Sequence, residues 1–393
     1  MDKGETPINI YLDLSKAFDT LNHDILLSKL QLYGIKNMPL KLISNYLFNR
    51  TQYVHFNGIN SEMYPVQVGV PQGSILGPLL FIIYLNDLPN ACKLFQPIIY
   101  ADDNTLYGSL KCFGDLNEKS ISENINNELQ DINTWLKLNK LSLNTSKTKY
   151  IVFHMPQKKI PKLELKLDDK LIEQVSDFNL LGVHINQHLN WSTHTNYINT
   201  KISKTIGILS KLKHFLPRFV LKIIYDTLIV PHLTYGILCW GHSAKKTFIL
   251  QKKCLRIISN SKYNAHTDPI FKQFSLLKLQ DIYKLEILKF CFKLENSKLP
   301  LYFNSINTQN VASLHQHNTR SRNAIYLHKT RHNFADNSIS QIVPKTLNET
   351  DNLITDKIHT HSLKGYSLYI KNKYIGNYSD NCEIRNCYIC SKK

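Results

Sequence analysis

Pro97-Ile-Ile-Tyr-Ala-Asp-Asp-Asn-Thr-Leu-Tyr107 is the stretch on which the reading of the whole chain turns. Two short runs rich in β-branched and aromatic residues flank a pair of acids, the pattern of a β-hairpin with Asp102 and Asp103 near its tip. A second apolar run, Ile8 to Leu14, reads as a buried strand that delivers Asp13 at its end. An isolated carboxylate at a strand end is usually a turn former or cap. Three of them, flanked by Ile98, Ile99 and Leu106, would be like charges gathered at a partly apolar site. Such a cluster is costly without cations, and divalent magnesium held by oxygen ligands offsets the repulsion. Two metals roughly 3.5–4 Å apart activate an attacking hydroxyl and stabilise a leaving pyrophosphate, so the pattern fits nucleotidyl transfer.

Outward from these blocks, Ala17 to Leu32 continues with helical periodicity and a second helix fits Pro39 to Phe48. Residues 52–68 alternate loosely as a hairpin, Gly69 to Gly73 make a turn, and Leu76 to Leu88 reads as helical. A long helix is expected over residues 117–138, with Ile121, Ile125, Leu129, Ile132 and Leu136 on one stripe. A strand follows at Lys149 to Phe153, then a strand or hairpin at Phe178 to Ile185. From Ser192 to near Leu294 the pattern is mostly helical, and beyond Pro300 the chain is Asn-, Ser- and His-rich with weak periodicity, as in partly disordered segments. Strands alternating with helices, then helices alone, imply a mixed α/β (α+β) layer followed by a helical domain. The expected divisions are residues 1–190, 191–300 and a basic C-terminal region, 301–393.

With 393 residues, 43% of them hydrophobic, the chain has material for a large core. Its 48 Lys and Arg outnumber 30 acids for a formal charge of +18, favouring a polyanionic partner over a small neutral substrate. Residues 1–160 hold 15 basic and 14 acidic residues, so nearly all the excess lies downstream. Between Lys201 and Arg256 there are 11 basic residues and one acid, Asp226, interleaved with apolar positions such as Ile206, Leu209, Leu212 and Phe215. Solvated helix surfaces normally mix both signs, so this pattern reads as helices with a basic face for nucleic acid. The N-terminus lacks the features of a secretory signal and no apolar run reaches membrane-spanning length, which leads to an intracellular expectation. Cys92, Cys112, Cys239, Cys254 and Cys291 are scattered, as buried thiols of a reducing compartment are. Cys382, Cys387 and Cys390 have close metal-ligand spacing, but a structural zinc normally takes four ligands. Unless His359 or His361 supplies the fourth, these three read as reduced thiols rather than a zinc site.

Three blocks together resemble the reverse transcriptase of non-LTR retrotransposons, most of all the jockey-type group. Tyr11-Leu-Asp-Leu-Ser-Lys-Ala-Phe-Asp-Thr20 resembles the first catalytic motif, Gly69-Val-Pro-Gln-Gly-Ser-Ile-Leu-Gly-Pro78 the second and Tyr100-Ala-Asp-Asp103 the third. The resemblance implies a right-hand polymerase palm with a helical thumb. It assigns Asp13 and Asp102 as ligands of two magnesium ions, for which manganese can substitute, with Asp103 completing the cluster and the Leu14 carbonyl as an extra ligand. Phe18 matches the ring that blocks a ribose 2′-hydroxyl, Gln72 the residue against the incoming nucleotide, and Gly73 a point of close backbone approach. Lys147, in the fourth block Asn144 to Thr148, matches a lysine near the triphosphate, and Gly182, in Phe178-Asn-Leu-Leu-Gly-Val-His-Ile185, the primer-grip turn. Leu228 to Gly236, Trp240-Gly241 and Leu250 to Arg256 resemble thumb segments.

The sequence starts at the first catalytic strand, so the resemblance implies that the fingers which precede it in the family are largely missing. The expected activity is RNA-directed DNA polymerisation on an RNA template and DNA primer with deoxynucleoside triphosphates, acting in the nucleus and without a membrane. Two rivals remain at this point. One is a catalytically silent nucleic-acid-binding remnant of such an element. The other is an intron-encoded maturase, disfavoured by the wording of the second block.

Overall fold

A computed structural model describes residues 1–2, 4–113, 117–306, 309–314 and 324–380. Cys382, Cys387 and Cys390 lie outside the described residues. The described residues form two compact units, one built on residues 4–182 together with Asn186–His188, the other on those between 189 and 380 together with Val183–Ile185.

The first unit is organised by a five-stranded sheet. In spatial order its strands are Glu173–Gln174, Lys149–Val152, Pro7–Asp13, Asp103–Ser109 and Gln96–Tyr100. The Pro7–Asp13 strand is central: Ile8 and Ile10 are fully buried, and both of its edges are paired antiparallel. Its partner register runs from Pro7 opposite Ser109 to Asp13 opposite Asp103. The helices Leu76–Leu85 and Glu118–Leu138 cover the core through Leu80, Phe81, Tyr84, Ile125, Leu129 and Ile132. The stripe read from the sequence of the long helix is the stripe it buries.

Several boundaries differ from the sequence reading. Ala17 to Leu32 is not one helix, but a 3-10 turn, Ala17–Asp19, and then the helix His23–Leu32. The break falls where Asn22 caps the second helix, its side chain accepting the Ile25 N–H at 3.0 Å. The helix expected over Leu76 to Leu88 ends at Leu85, and a separate 3-10 turn covers Leu88–Ala91 with Pro89 near its start. Residues 52–68 form a nested hairpin, Arg50–Gln52 with Tyr64–Val66 and His55–Phe56 with Ile59–Asn60. Its tip is Asn57-Gly58, both at positive φ, the pair whose left-handed tolerance suits a two-residue turn.

The second unit is helical. Ser192–Leu212, Arg218–Leu228, Lys245–Ile258 and Leu279–Glu295 enclose a core that includes Ile202, Leu209, Tyr225, Trp240, Leu255 and Leu288. On the first of these helices Ile202, Ile206 and Leu209 are buried while Lys201, Lys204 and Lys211 are exposed, as amphipathic spacing requires. Phe215, by contrast, lies beyond the end of that helix and is 83% exposed. Beyond Pro300, where the sequence pattern is weak, the described residues include the helices Ile339–Glu349 and Leu363–Gly376. Tyr366 and Ile370 are fully buried, so tertiary packing stabilises a helix that periodicity alone does not declare.

Candidate active site

The edge of the sheet at the ends of the Pro7–Asp13 and Asp103–Ser109 strands gathers the carboxylates. Asp13 and Asp103 are the last directly opposed pair of this ladder, and Asp103 also pairs with Tyr100 to close the adjoining hairpin. Only Ala101 and Asp102 remain in the loop, and Ala101 takes φ +52°, a left-handed conformation that costs an alanine about 1–2 kcal/mol. The Asn104 amide, buried beneath, donates to the Asp102 carbonyl at 3.1 Å and holds the turn.

Asp13 is fixed from its other side by the segment that ends in Thr148. The Asn144 N–H donates to the Asp13 carbonyl at 2.8 Å and the Ser15 N–H to the Ser142 carbonyl at 2.8 Å, and neither bond uses the Leu14 carbonyl. This places Lys147 beside the carboxylates, its Nζ 3.9 Å from Asp13 Oδ2 on a side chain that remains 69% exposed. At that exposure the pair contributes under about 1 kcal/mol to folding, so the lysine stays available to a ligand. Partial burial, and then the charges of Asp102 and Asp13, push the Asp103 carboxyl above the ordinary range.

A cavity of about 710 Å³ opens in front of this edge, within the range of small-molecule sites. Asp13, Leu14, Phe18, Gln72, Gly73, Asp102 and Lys147 all line it, so seven sequence-derived residues meet in one place. Asp103 borders a smaller crevice instead, together with Asp13, Lys147, Tyr11 and Phe178. Gly182, at φ +80° next to Leu181 at φ +49°, forms a tight turn after Phe178 and lines neither cavity. Phe18 serves the core as well as the cavity, its ring stacking on Phe81 at 4.5 Å.

The turn carrying Gln72 and Gly73 is sewn to the 3-10 turn carrying Phe18. The Gly69 N–H donates to the Leu21 carbonyl at 2.7 Å, and the Val70 N–H to the Phe18 carbonyl at 2.8 Å. Buried His23 donates from Nε2 to the Gly69 carbonyl at 2.7 Å. Gly69 sits at φ +85°, and a Cβ there would stand 2.7 Å from the Asp19 carbonyl oxygen, so both conformation and space require glycine.

Among the described residues no three His, Cys, Asp or Glu side chains form a ready-made metal cage. Magnesium typically takes one or two protein carboxylates and completes its shell with water and substrate phosphate oxygens. Asp13 and Asp102 both line the cavity and would supply two such carboxylates, while burial, and then the charges of Asp102 and Asp13, raise the Asp103 carboxyl.

Residues missing from the sequence-derived set also contribute. Tyr11 and Phe178 stack at 3.9 Å with rings 5° from parallel, joining the Asp177–Leu180 strand to the central strand two residues before Asp13. Asp19 lines the main cavity and accepts a hydrogen bond from Gln72. Both Tyr11 and Asp19 lie inside the block Tyr11 to Thr20, and their partners are 167 and 53 residues away in sequence. Local pattern gives no signal for either pairing.

Residues 2–185 match the family described as reverse transcriptase (RNA-dependent DNA polymerase). The chain is 27% identical over 297 residues to the RNA-directed DNA polymerase from mobile element jockey of Drosophila melanogaster, covering 72% of this chain and 31% of that protein. It is 25% identical over 292 residues to the probable RNA-directed DNA polymerase from transposon BS of the same species, covering 69% and 31%. The chain thus spans about a third of the length of the curated relatives it matches. Among solved structures it is similar to telomerase from Candida albicans in complex with a fragment of telomeric RNA, with a TM-score of 0.36 and 14% identity over 76% of this chain and 48% of that one.

Proposed function

Taking residues 2–185 as the reverse transcriptase domain they match, we propose that this chain carries the polymerising centre of a non-LTR retrotransposon RNA-directed DNA polymerase. The observation that carries the proposal is the convergence of Asp13, Asp102, Phe18, Gln72 and Lys147 on one cavity. Asp13 and Asp102, with the Leu14 carbonyl, would hold the divalent ions, Asp103 adding negative charge at their back. When bound, the ions supply activation of the primer 3′-hydroxyl and charge neutralisation on the leaving pyrophosphate. Lys147 adds a fixed positive charge beside Asp13 that favours the triphosphate and the charge developing on the leaving group. Phe18, held by Phe81, forms a rigid wall against the sugar that would disfavour a 2′-hydroxyl, while Gln72 and the side-chain-free Gly73 admit the incoming deoxynucleotide closely. Gly182 would let the primer backbone approach. The exposed lysines along Ser192–Leu212 and Lys245–Ile258 suit the sugar-phosphate backbone of an RNA template and DNA primer. Insertion coupled to such synthesis would place its action in the nucleus.

Primer extension on an RNA template with magnesium and deoxynucleotides tests the reading. Extension by the chain that is lost in Asp102→Asn, with template-primer binding retained, is the expected result. Salt-sensitive binding of template-primer with no metal-dependent extension, by the chain alone or joined to a family fingers region, would overturn it in favour of a silent binding remnant.

A further inference from the structure

Asp19 is the carboxylate in the cavity that the polymerase reading leaves without a task. It is exposed, it lines the main cavity and a neighbouring one of about 560 Å³, and Gln72 lines both with it. Gln72 Nε2 donates to Asp19 Oδ1 at 2.7 Å, and this is the hydrogen bond that ties the two side chains across the seam between the 3-10 turn and the Gly69–Gly73 turn. A negative group facing a triphosphate site is electrostatically unfavourable, so its presence asks for another role.

The chemistry of the pair supplies one. An ionised carboxylate only accepts hydrogen bonds, whereas a glutamine amide has a donor end and an acceptor end of nearly equal shape. Against Asp19 the donor end must face the carboxylate, which turns the Gln72 carbonyl Oε1 away from it. The backbones beneath are held by the Gly69–Leu21 and Val70–Phe18 hydrogen bonds, so the two side chains keep their spacing. We propose that Asp19 is a positioning residue that fixes the amide orientation of Gln72, so that Oε1 is presented as a hydrogen-bond acceptor to a donor group of the incoming nucleotide. The inference rests on the polymerase reading of the cavity and adds to it a residue that acts through Gln72 rather than on the substrate.

The test is a double-mutant cycle on the dissociation constant of a deoxynucleoside triphosphate with magnesium, measured on the full chain. The parent, Asp19→Ala, Gln72→Ala and the double variant are compared. Glutamine side-chain amides are followed by selective 15N labelling, with the Gln72 signal assigned by its loss in Gln72→Ala. Because Asp19 is exposed and its described side-chain partner is Gln72, Asp19→Ala is expected to fold as the parent does. Loss of the oriented acceptor should weaken binding roughly three- to ten-fold, the scale of one net hydrogen bond. The same substitution should have no effect once Gln72 is alanine, and it should move the Gln72 amide proton shifts to those of an unbonded glutamine side chain. Asp19→Asn, which offers both a donor and an acceptor, should leave the amide in two orientations and fall between parent and Asp19→Ala. Equal weakening by Asp19→Ala with and without Gln72, or a Gln72 amide signal indifferent to Asp19, would overturn the proposal. A Gln72 signal that responds to Asp19→Ala while no protein binds triphosphate would instead overturn the nucleotide assignment of the cavity, and the positioning role with it.

Discussion

Removing the Glu128 carboxylate should unlatch the hairpin that carries Asp102 and Asp103. Glu128 lies on the buried face of the Glu118–Leu138 helix at 4% exposure, and its Oε1 accepts three successive backbone N–H groups, those of Lys93, Leu94 and Phe95, at 2.7, 2.8 and 2.9 Å. These residues lead directly into the Gln96–Tyr100 strand, whose end is the Asp102 turn. Hydrogen bonds to a charged acceptor are worth about 1.5–3 kcal/mol each, and exposed Lys93 and Leu94 can recover water while buried Phe95 cannot. Glu128→Ala should therefore cost about 3–5 kcal/mol. Glu128→Gln keeps a carbonyl acceptor without charge assistance, but puts an amide nitrogen where Oε2 has no partner, for a cost of about 2–3 kcal/mol. The assay is urea unfolding followed by Trp135 fluorescence, with Trp191 and Trp240 replaced by phenylalanine so that Trp135 alone reports on the first unit. Amide exchange at Phe95 should accelerate in parallel. A cost below about 1 kcal/mol for Glu128→Ala, or protection of the Phe95 amide unchanged, would refute the latch.

Two further predictions concern the helical unit. Gln251 is fully buried and satisfied, donating from Nε2 to the Tyr225 hydroxyl at 2.9 Å and the Leu277 carbonyl at 3.0 Å while accepting the Leu279 N–H at 2.9 Å. Gln251→Leu should destabilise the unit by about 2–4 kcal/mol through three orphaned partners, read by Trp240 fluorescence in urea, and a neutral substitution would contradict that accounting. His194, 2% exposed and packed on Trp240 at 5.5 Å, has its pKa lowered to about 4 by burial and then by the nearby His184. The folded value lies below the unfolded one near 6.5, so its contribution is fully present above pH 6.5 and is lost as pH falls toward 4. The loss amounts to about 3 kcal/mol, and His194→Phe should flatten that part of the stability profile in a pH series of unfolding curves.

What the sequence determined by itself is what depends on neighbours along the chain. Alternation and β-branching placed the strands, the stripe from Ile121 to Leu136 declared the long helix, and Asp13 and the Asp102-Asp103 pair declared themselves by sitting at the ends of apolar strands. Seven of the residues read from the three blocks and the lysine downstream line one cavity because those blocks are also the turns at one edge of the sheet. The tertiary structure alone decided which groups meet across it. The register that sets Asp13 opposite Asp103, the Asp19–Gln72 bond, the Tyr11–Phe178 stack and the Glu128 latch each join residues tens to hundreds of positions apart. The Leu363–Gly376 helix likewise depends on a surface, since Tyr366 and Ile370 are buried only against the core of their own unit. Periodicity records how a segment divides its faces between core and water, but a polar pair bonded at a distance leaves no periodic trace, and its partner is fixed only once the chain has closed around it.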